Sequence, residues 1–274
     1  MTDWAKIIAE TPAPDPKMTA EEFLDQAFAQ VNAPSVGQYG KLKELLGPCF
    51  IGPEEIKQAL QVSDLGAIPA LPKGWMEALG SDSLITPGQN VFQDHTLMLM
   101  PLSFDGVANT VLNFKDLVEL AEQRRKLVKP GIGPVFYQDQ KWYLQGRVNE
   151  ERWAQAPLTQ ASWVLTPNIV PDDTRETKYA PQDLIISSKY QDYQRGSAQE
   201  LIQFLALTEL LTSERRYPSG SWGWTSTPTD AAGAYPGQFV SIGRFDADGF
   251  GVAYGSPARS DSALGAFLGR KFLA

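Results

Sequence analysis

The C-terminal segment from Ile242 to Phe272, IGRFDADGFGVAYGSPARSDSALGAFLGRKF, limits the folds open to this chain more than any other stretch. Its large apolar side chains recur at intervals, and the residues between them are almost all Gly, Ala, Ser, Asp, Arg and Tyr. From Tyr217 onward there is no helical period, and glycine in this quantity disfavours helix. The segment therefore predicts short twisted strands joined by long loops.

Upstream of Tyr217 the sequence predicts helices as well as strands. Capping boxes at Thr19–Glu22 and Ser197–Glu200 each precede a run with helical spacing of apolar residues. The predicted elements are helices from about 20 to 31, 40 to 46, 53 to 62, 114 to 127 and 198 to 211, strands at 95–101 and 162–166, and a hairpin at 134–144. This mixture predicts the α+β class.

Charge and hydropathy exclude several kinds of partner. The net charge of −8 argues against nucleic acid, because phosphate binding needs a basic stripe. The short run Arg124–Lys126 falls late in a predicted helix, where cations suit the helix dipole. No apolar run approaches the roughly 20 residues of a membrane span, and the N-terminus shows no signal peptide. Cytoplasmic, virion and unconventionally exported locations stay equally open.

Cysteine and histidine are each present once, which restricts the chemistry. One cysteine excludes a disulfide framework and multi-Cys zinc sites, and one histidine excludes His-rich zinc sites. Asp94 could orient His95 as an acid–base pair, but no serine stands in a nucleophile-elbow pattern, which favours a structural histidine. Cys49 lies between two Gly-Pro turns, which favours an inert thiol. We expect no catalytic residue, no metal and no cofactor.

Two short motifs resemble ligand loops without completing them. Asp246–Gly249, DADG, begins like a calcium loop, but the remaining ligands and the distal Glu are missing. Asp-Gly is also an ordinary hairpin turn, which is the favoured interpretation. Gly131–Gly133 does not extend to the G-x-G-x-x-G pattern, and Pro134 would interrupt the helix such a loop needs. Nucleotide binding therefore has almost no support.

The tail also omits particular residue types. Between Phe239 and Arg270 there is no Lys, Glu, Gln, Trp or Met, although these five make up about a fifth of the chain, so that about seven would be expected. Gly-rich β-loops exclude long side chains, and this alone explains part of the omission.

Six segments in the second half of the chain share a recognisable pattern: Ser162–Thr166, Val170–Arg175, Lys178–Ala180, Glu214–Tyr217, Trp222–Thr227 and Leu264–Phe272. They resemble the variable (target) proteins of diversity-generating retroelements, which carry a C-type lectin-type fold of the formylglycine-generating-enzyme-like subgroup. The resemblance covers about residues 160–274, with the preceding 70 or so completing the domain. The resemblance implies a C-type lectin-like domain at 86–274, with a variable region at about 218–270. The first 80 or so residues match nothing in that family, and their own helical patterns predict a helical N-terminal region at 1–85.

The resemblance implies a second explanation for the omitted residue types. In that family a reverse transcriptase copies a template repeat into the 3′ end of the gene and misreads adenines, so that AAY codons become nearly any NNY codon. NNY codons encode neither Lys, Glu, Gln, Trp nor Met, which is the set missing from this tail. Trp222 and Trp224 are therefore expected to belong to the scaffold.

The tail then divides into a fixed frame and a displayed set. The frame residues, expected to point into the core, are Ile242, Phe245, Phe250, Val252, Leu264, Phe267 and Phe272. The displayed, ligand-binding residues are expected to be Arg244, Asp246, Asp248, Ala253, Tyr254, Ser256, Ala258, Arg259, Ser260 and Asp261, with Gly223, Ser226 and Tyr235 as less certain members. A rigid scaffold carrying variable loops is a common arrangement of binding surfaces.

The resemblance predicts a non-enzymatic receptor or adhesion protein that binds a protein or glycan through a diversified surface. Calcium-dependent sugar binding is not implied, since no E-P-N or Q-P-D triplet occurs. One alternative is a structural virion or cell-surface component without diversification. Another is an oxidase like the formylglycine-generating enzymes, which the single Cys49 disfavours because those enzymes use paired cysteines.

Overall fold

The computed structural model describes residues 37–71, 74–101, 114–128, 133–137, 151–155, 161–217, 220–230 and 235–271. Its helices are α1 (Gly37–Leu46), α2 (Pro53–Leu60), α3 (Trp75–Gly80), α4 (Val91–Asp94), α5 (Phe114–Val128), α6 (Arg152–Gln155), α7 (Tyr179–Lys189) and α8 (Ala198–Thr212). Its strands are β1 (Phe50–Ile51), β2 (His95–Met100), β3 (Ser162–Pro167), β4 (Gln194–Arg195), β5 (Trp222–Pro228), β6 (Phe239–Asp246), β7 (Gly249–Gly255), β8 (Leu264–Ala266) and β9 (Leu268–Lys271).

The strands form two mixed sheets. The first has the order β1-β2-β3-β9-β4, with β1 parallel to β2 and the other pairs antiparallel. The second has the order β7-β6-β5-β8, with β8 parallel to β5. Two mixed sheets with several helices make this an α+β protein, which confirms the predicted class.

Helix α8 lies at the centre of the molecule. Ser197 caps it: its hydroxyl accepts the Glu200 N–H, and the Glu200 carboxylate accepts the Ser197 N–H at 2.6 Å, which is the predicted capping box. Every residue from Ala198 to Leu210 except Gln199 is buried. A helix that is apolar on all sides must be packed on all sides. It contacts α2 and α5, strand β2 of the first sheet and strands β5 and β6 of the second.

Most elements predicted from the sequence are present where they can be checked. The helices at α1, α2, α5 and α8 and the strands β2 and β3 are confirmed. The predicted helix at 20–31 and most of the hairpin at 134–144 lie outside the described residues. Helix α7, the short helices α3, α4 and α6, and the two-residue strands β1 and β4 were not predicted. Among the helices that the structure describes, none is long and apolar enough to cross a membrane.

The described part of the N-terminal region shares its core with the rest of the chain. Leu42, Phe50 and Leu60 belong to the same buried cluster as Leu205 of α8 and Ile242 of β6. Strand β1 also extends the first sheet through its pairing with β2. The buried apolar residues of this region that the structure describes therefore belong to the core around α8 and do not form a separate one.

A buried chain of polar side chains fixes the start of β2. The carboxylate of Asp94 accepts the Ser83 hydroxyl at 2.5 Å and the Nδ1–H of His95 at 2.5 Å. The other ring nitrogen of His95 then accepts the Tyr193 hydroxyl at 3.0 Å. All four side chains are buried, as expected of a structural histidine. These hydrogen bonds link the residues before β2 to the residues before β4.

This arrangement predicts how stability depends on pH. Burial acts to raise the pKa of Asp94, but the hydrogen bonds from His95 and Ser83 outweigh it and hold the pKa below its usual range. A carboxylate whose pKa is lowered by folding stabilises the folded state at any pH above its unfolded-state pKa of about 4. This stabilisation is lost as pH falls through the folded-state pKa.

We expect Asp94→Asn to lower the free energy of unfolding at pH 7 by about 1–3 kcal/mol, because it weakens two buried hydrogen bonds. The difference from wild type should shrink as pH falls below about 4, since the wild-type carboxylate becomes protonated as pH passes through its lowered folded-state pKa. Chemical denaturation at a series of pH values measures both quantities. A difference that stays constant over this range would contradict the assignment.

Candidate ligand-binding surface

The second sheet positions the tail, and its two faces carry different side chains. Paired residues of neighbouring strands point to the same side of a sheet. Ile242 pairs with Val252, and both pack in the buried cluster around α8. Trp224 pairs with Ser241 and faces the other way. The sheet is thus covered on one side by α8 and on the other by a smaller aromatic layer.

The predicted frame residues are buried wherever they can be seen. Six of them are at most 5% exposed: Ile242, Phe245, Phe250, Val252, Leu264 and Phe267. Phe272 lies outside the described residues. The prediction that the frame residues point into the core is therefore confirmed for these six.

An aromatic layer covers the outer face of the sheet. The Tyr179 ring stacks on Phe239 at 3.9 Å between centroids and lies 4.9 Å from Trp224. The guanidinium of Arg195 lies 3.9 Å above the Tyr179 ring. The Tyr179 hydroxyl donates to the carbonyl of Thr225 at 2.9 Å, and burial, offset in part by Arg195, raises its pKa to about 12. Tyr179 therefore fastens the start of α7 to the sheet.

The crossover segment (residues 256–263) joins β7 at one edge of this sheet to β8 at the other. Gly255 ends β7 opposite Phe239, whereas Leu264 begins β8 beside Trp222, at the opposite end of the sheet. The chain must therefore cross from one end of the sheet to the other as well as from edge to edge. The exposed residues of this segment are Ser256, Pro257, Ala258, Arg259, Ser260 and Ser262, and Asp261 and Ala263 are half-buried.

The supporting segment (residues 171–179) holds the crossover segment through its main chain. The N–H of Tyr179 donates to the carbonyl of Pro257 at 3.2 Å, and the N–H of Glu176 donates to the carbonyl of Asp261 at 3.1 Å. Main-chain carbonyls are present whatever side chain occupies a position. These contacts therefore place no condition on the identity of the exposed side chains.

Arg175 adds side-chain contacts at the junction of β5 and β8. Its guanidinium donates to the Ser262 carbonyl at 3.2 Å and to the Ser221 hydroxyl at 3.1 Å, while its Nε donates to Asp172 at 3.1 Å. The Ser221 carbonyl in turn accepts the N–H of Arg244 at 2.8 Å. Arg175 thus links the end of the crossover segment to the hairpin that carries Arg244.

The β6–β7 hairpin displays the other charged side chains. Its turn is formed by Ala247 and Asp248, and the Asp246 carboxylate accepts the N–H of Asp248 at 3.0 Å and the Nε of Arg244 at 3.2 Å. Arg244 adopts a φ of 54°, inside an irregularity of the β6–β7 ladder. The DADG motif is therefore a hairpin turn. Among the described residues, no group of three or more His, Cys, Asp or Glu is placed to hold a metal ion.

Solvent exposure divides the thirteen candidate residues into three groups. Arg244, Asp248, Ser226, Ser256, Ala258, Arg259 and Ser260 are exposed. Asp246, Ala253, Tyr254, Asp261 and Tyr235 are half-buried. Gly223 is buried, and this corrects the expectation that it is displayed. A Cβ there would lie 2.9 Å from the Tyr217 ring and 3.1 Å from Leu201, so the position belongs to the interface with α8.

Asp261 has a structural role besides its exposure. Its carboxylate accepts Arg259 at 2.8 Å and the N–H of Ala263 at 2.9 Å, and these two hydrogen bonds lower its pKa. It shapes the turn into β8, which makes it less replaceable than Ser256 or Ser260. The exposed Arg259–Asp261 pair itself contributes little stability.

The candidate surface includes residues that the sequence did not single out. Arg175 lies within one of the segments that carry the family resemblance, but nothing in that pattern shows its contacts. Glu151 and Asp230 lie beside Tyr254, and the sequence carries no signal for either, because they come from different parts of the chain. Cys49 lies outside this surface, just before β1: it is half-buried, with its Sγ 3.9 Å from the Asn168 amide.

Comparisons with known proteins identify no relative. No model of a known protein family matches the chain, and neither does any curated protein or solved structure.

The substitution Gly223→Ala tests whether Gly223 is buried against Tyr217 and Leu201. The added methyl group would overlap the Tyr217 ring and Leu201, so we expect a loss of about 1–3 kcal/mol in the free energy of unfolding. Ser226→Ala, at an exposed position of the same strand, should change it by less than about 0.5 kcal/mol. Equal effects in chemical denaturation would place Gly223 on the surface after all.

Arg175→Ala tests the support of the crossover segment. Loss of the bonds to Ser262 and Ser221 should raise hydrogen exchange at the amides of Ala263 and Leu264 by up to about thirtyfold, since each of the two bonds is worth about 1 kcal/mol. Lys57→Ala removes the same charge from α2 and should leave these amides unchanged. Unchanged exchange in Arg175→Ala would show that the main-chain contacts suffice.

Proposed function

We propose that this chain is a non-enzymatic binding protein with a C-type lectin-like domain, the variable protein of a diversity-generating retroelement, whose C-terminal surface recognises a protein ligand. The observation that carries the proposal is the support of the crossover segment. Pro257, Asp261 and Ser262 are held through their carbonyls by residues outside the tail. Exposed side chains can therefore change without loss of the contacts that position them.

The second observation that supports the proposal is that the buried frame residues and the displayed residues of the tail occupy different positions. Large apolar residues of β6, β7 and β8 are buried, while most intervening polar residues are exposed or half-buried. The residue types that NNY codons cannot encode are absent from Phe239 to Arg270, and Trp222 and Trp224 lie just upstream of that stretch. A surface built for variation requires this arrangement, in which the buried and exposed positions are independent.

The displayed side chains favour a protein as the ligand. Tyr235 and Tyr254 offer aromatic area with few rotatable bonds, and the neighbouring Ser and Gly residues adapt to a partner's shape. Arg244 and Arg259 can exchange their exposed ion pairs with Asp246 and Asp261 for pairs across an interface at small cost. Aromatic residues and arginine are the types enriched in protein interfaces.

The decisive experiment is to sequence the last 60 or so codons of the gene across many cells of one population, together with the flanking DNA. We expect substitutions at the codons of the displayed residues and none at Trp222, Ile242 or Phe245, with a near-duplicate template repeat close by. A uniform tail without a template repeat would overturn diversification and leave the structural-component alternative.

A library of tail variants tests the same proposal on the protein. Simultaneous replacement of Ser256, Ala258, Arg259 and Ser260 by residues drawn from NNY codons should change the free energy of unfolding by less than about 1 kcal/mol, because exposed substitutions have small effects. Chemical denaturation measures the change. Losses of several kcal/mol across the library would contradict a surface built for variation. Screening the library against protein and glycan arrays would then separate the two kinds of ligand.

A further inference from the structure

Two tyrosines and two carboxylates, the tyrosine patch (Tyr235, Tyr254, Glu151 and Asp230), lie at the end of the second sheet where β7 ends and β6 begins. The ring centroids of Tyr235 and Tyr254 are 5.1 Å apart, with an angle of 37° between the rings. Both residues are half-buried, and the hydroxyl end of Tyr254 is the buried end of its side chain. The pair thus forms an aromatic surface whose position is fixed by packing.

The two carboxylates near the rings accept hydrogen bonds from the main chain, and Asp230 follows Thr229, whose hydroxyl donates to the Tyr235 carbonyl. Glu151, only 3% exposed, accepts the N–H of Asp230 at 2.7 Å. Asp230 accepts the N–H of Arg152 at 2.8 Å. In the part of the chain that the structure describes, neither carboxylate forms an ion pair with Lys, Arg or His. A buried carboxylate without a cation is costly, and a cation bound nearby would offset that cost.

The local field at the rings is negative. The pKa of the Tyr254 hydroxyl is raised by burial first and then by the negative charges of Glu151 and Asp230. The same charges that disfavour a tyrosinate favour a cation over the ring. The net charge of −8 on the chain acts in the same direction at longer range.

We propose that the tyrosine patch is a subsite for a Lys or Arg side chain of the protein ligand. The ring faces supply cation–π attraction, and Glu151 and Asp230 supply charge of the opposite sign. The subsite rests on the proposed function in one respect only, namely that a ligand docks on this surface. The Lys or Arg side chain of that ligand packs its aliphatic stem on the rings and directs its cationic head toward the carboxylates.

The test titrates the full chain with four small probes and follows the ring signals of ¹³C-labelled tyrosine by NMR. The probes are the N-acetyl methylamides of lysine, arginine, norleucine and glutamate. We expect the lysine and arginine probes to shift the signals of Tyr235 and Tyr254, with affinity at least about fivefold above that of the uncharged norleucine probe. The glutamate probe should produce no shift, and added salt should weaken the cationic probes.

Variants separate the subsite from general attraction to an acidic protein. Glu151→Gln should weaken the lysine probe about fivefold, and Tyr235→Ala should abolish the shift at Tyr254. Glu77→Gln removes the same charge from the exposed surface of α3 and should have no effect. If Glu151→Gln unfolds the chain, the partly exposed Tyr235→Ala variant still decides the outcome.

Equal shifts from norleucine and lysine, shifts spread over Tyr179 and Tyr190, or an equal loss in Glu77→Gln would overturn the subsite. None of these results bears on the population sequencing, which tests diversification of the gene. A failure of the subsite and a failure of the proposed function are therefore distinguishable.

Discussion

Burial of α8 is the constraint on which the rest of the structure depends. A helix carrying Leu201, Ile202 and Leu207 on different sides cannot lie on a surface, and each such side chain gains about 1.5–3 kcal/mol from full burial. Both sheets and helices α2 and α5 supply the contacts. Glycine at position 223 lets β5 approach α8 closely, because a Cβ there would lie 3.1 Å from Leu201.

A sheet packed on α8 by one face can support an exposed loop segment at its other face. The stack of Tyr179 on Phe239 and Trp224 fixes the supporting segment to the sheet, and that segment holds the crossover segment by its main chain. The exposed side chains of the crossover segment therefore project from a main chain whose position is fixed. A preorganised surface loses less conformational entropy on binding, which leaves more of the contact energy as affinity.

Local signals in the sequence accounted for the regular elements. The capping box at Ser197, the apolar period of α5 and the buried run of β2 each depend on neighbouring residues, so they could be recognised without tertiary information. Helix α7 was missed because its three consecutive apolar residues, 184–186, define no single face, and Leu184 is in fact 71% exposed. Strands β1 and β4 have two residues each, and their existence depends on partners distant in the chain.

The sequence by itself determined which tail residues are apolar frame and which are small or polar, because burial follows chemical type along a strand. Only the tertiary structure decided that Gly223 is buried, since a glycine suits an exposed turn and a close contact equally well. It also decided that Arg175 supports the crossover segment and that Glu151 lies beside Tyr254. Such pairings join residues far apart in the chain, and their distances are set by packing around α8 rather than by local conformational preference.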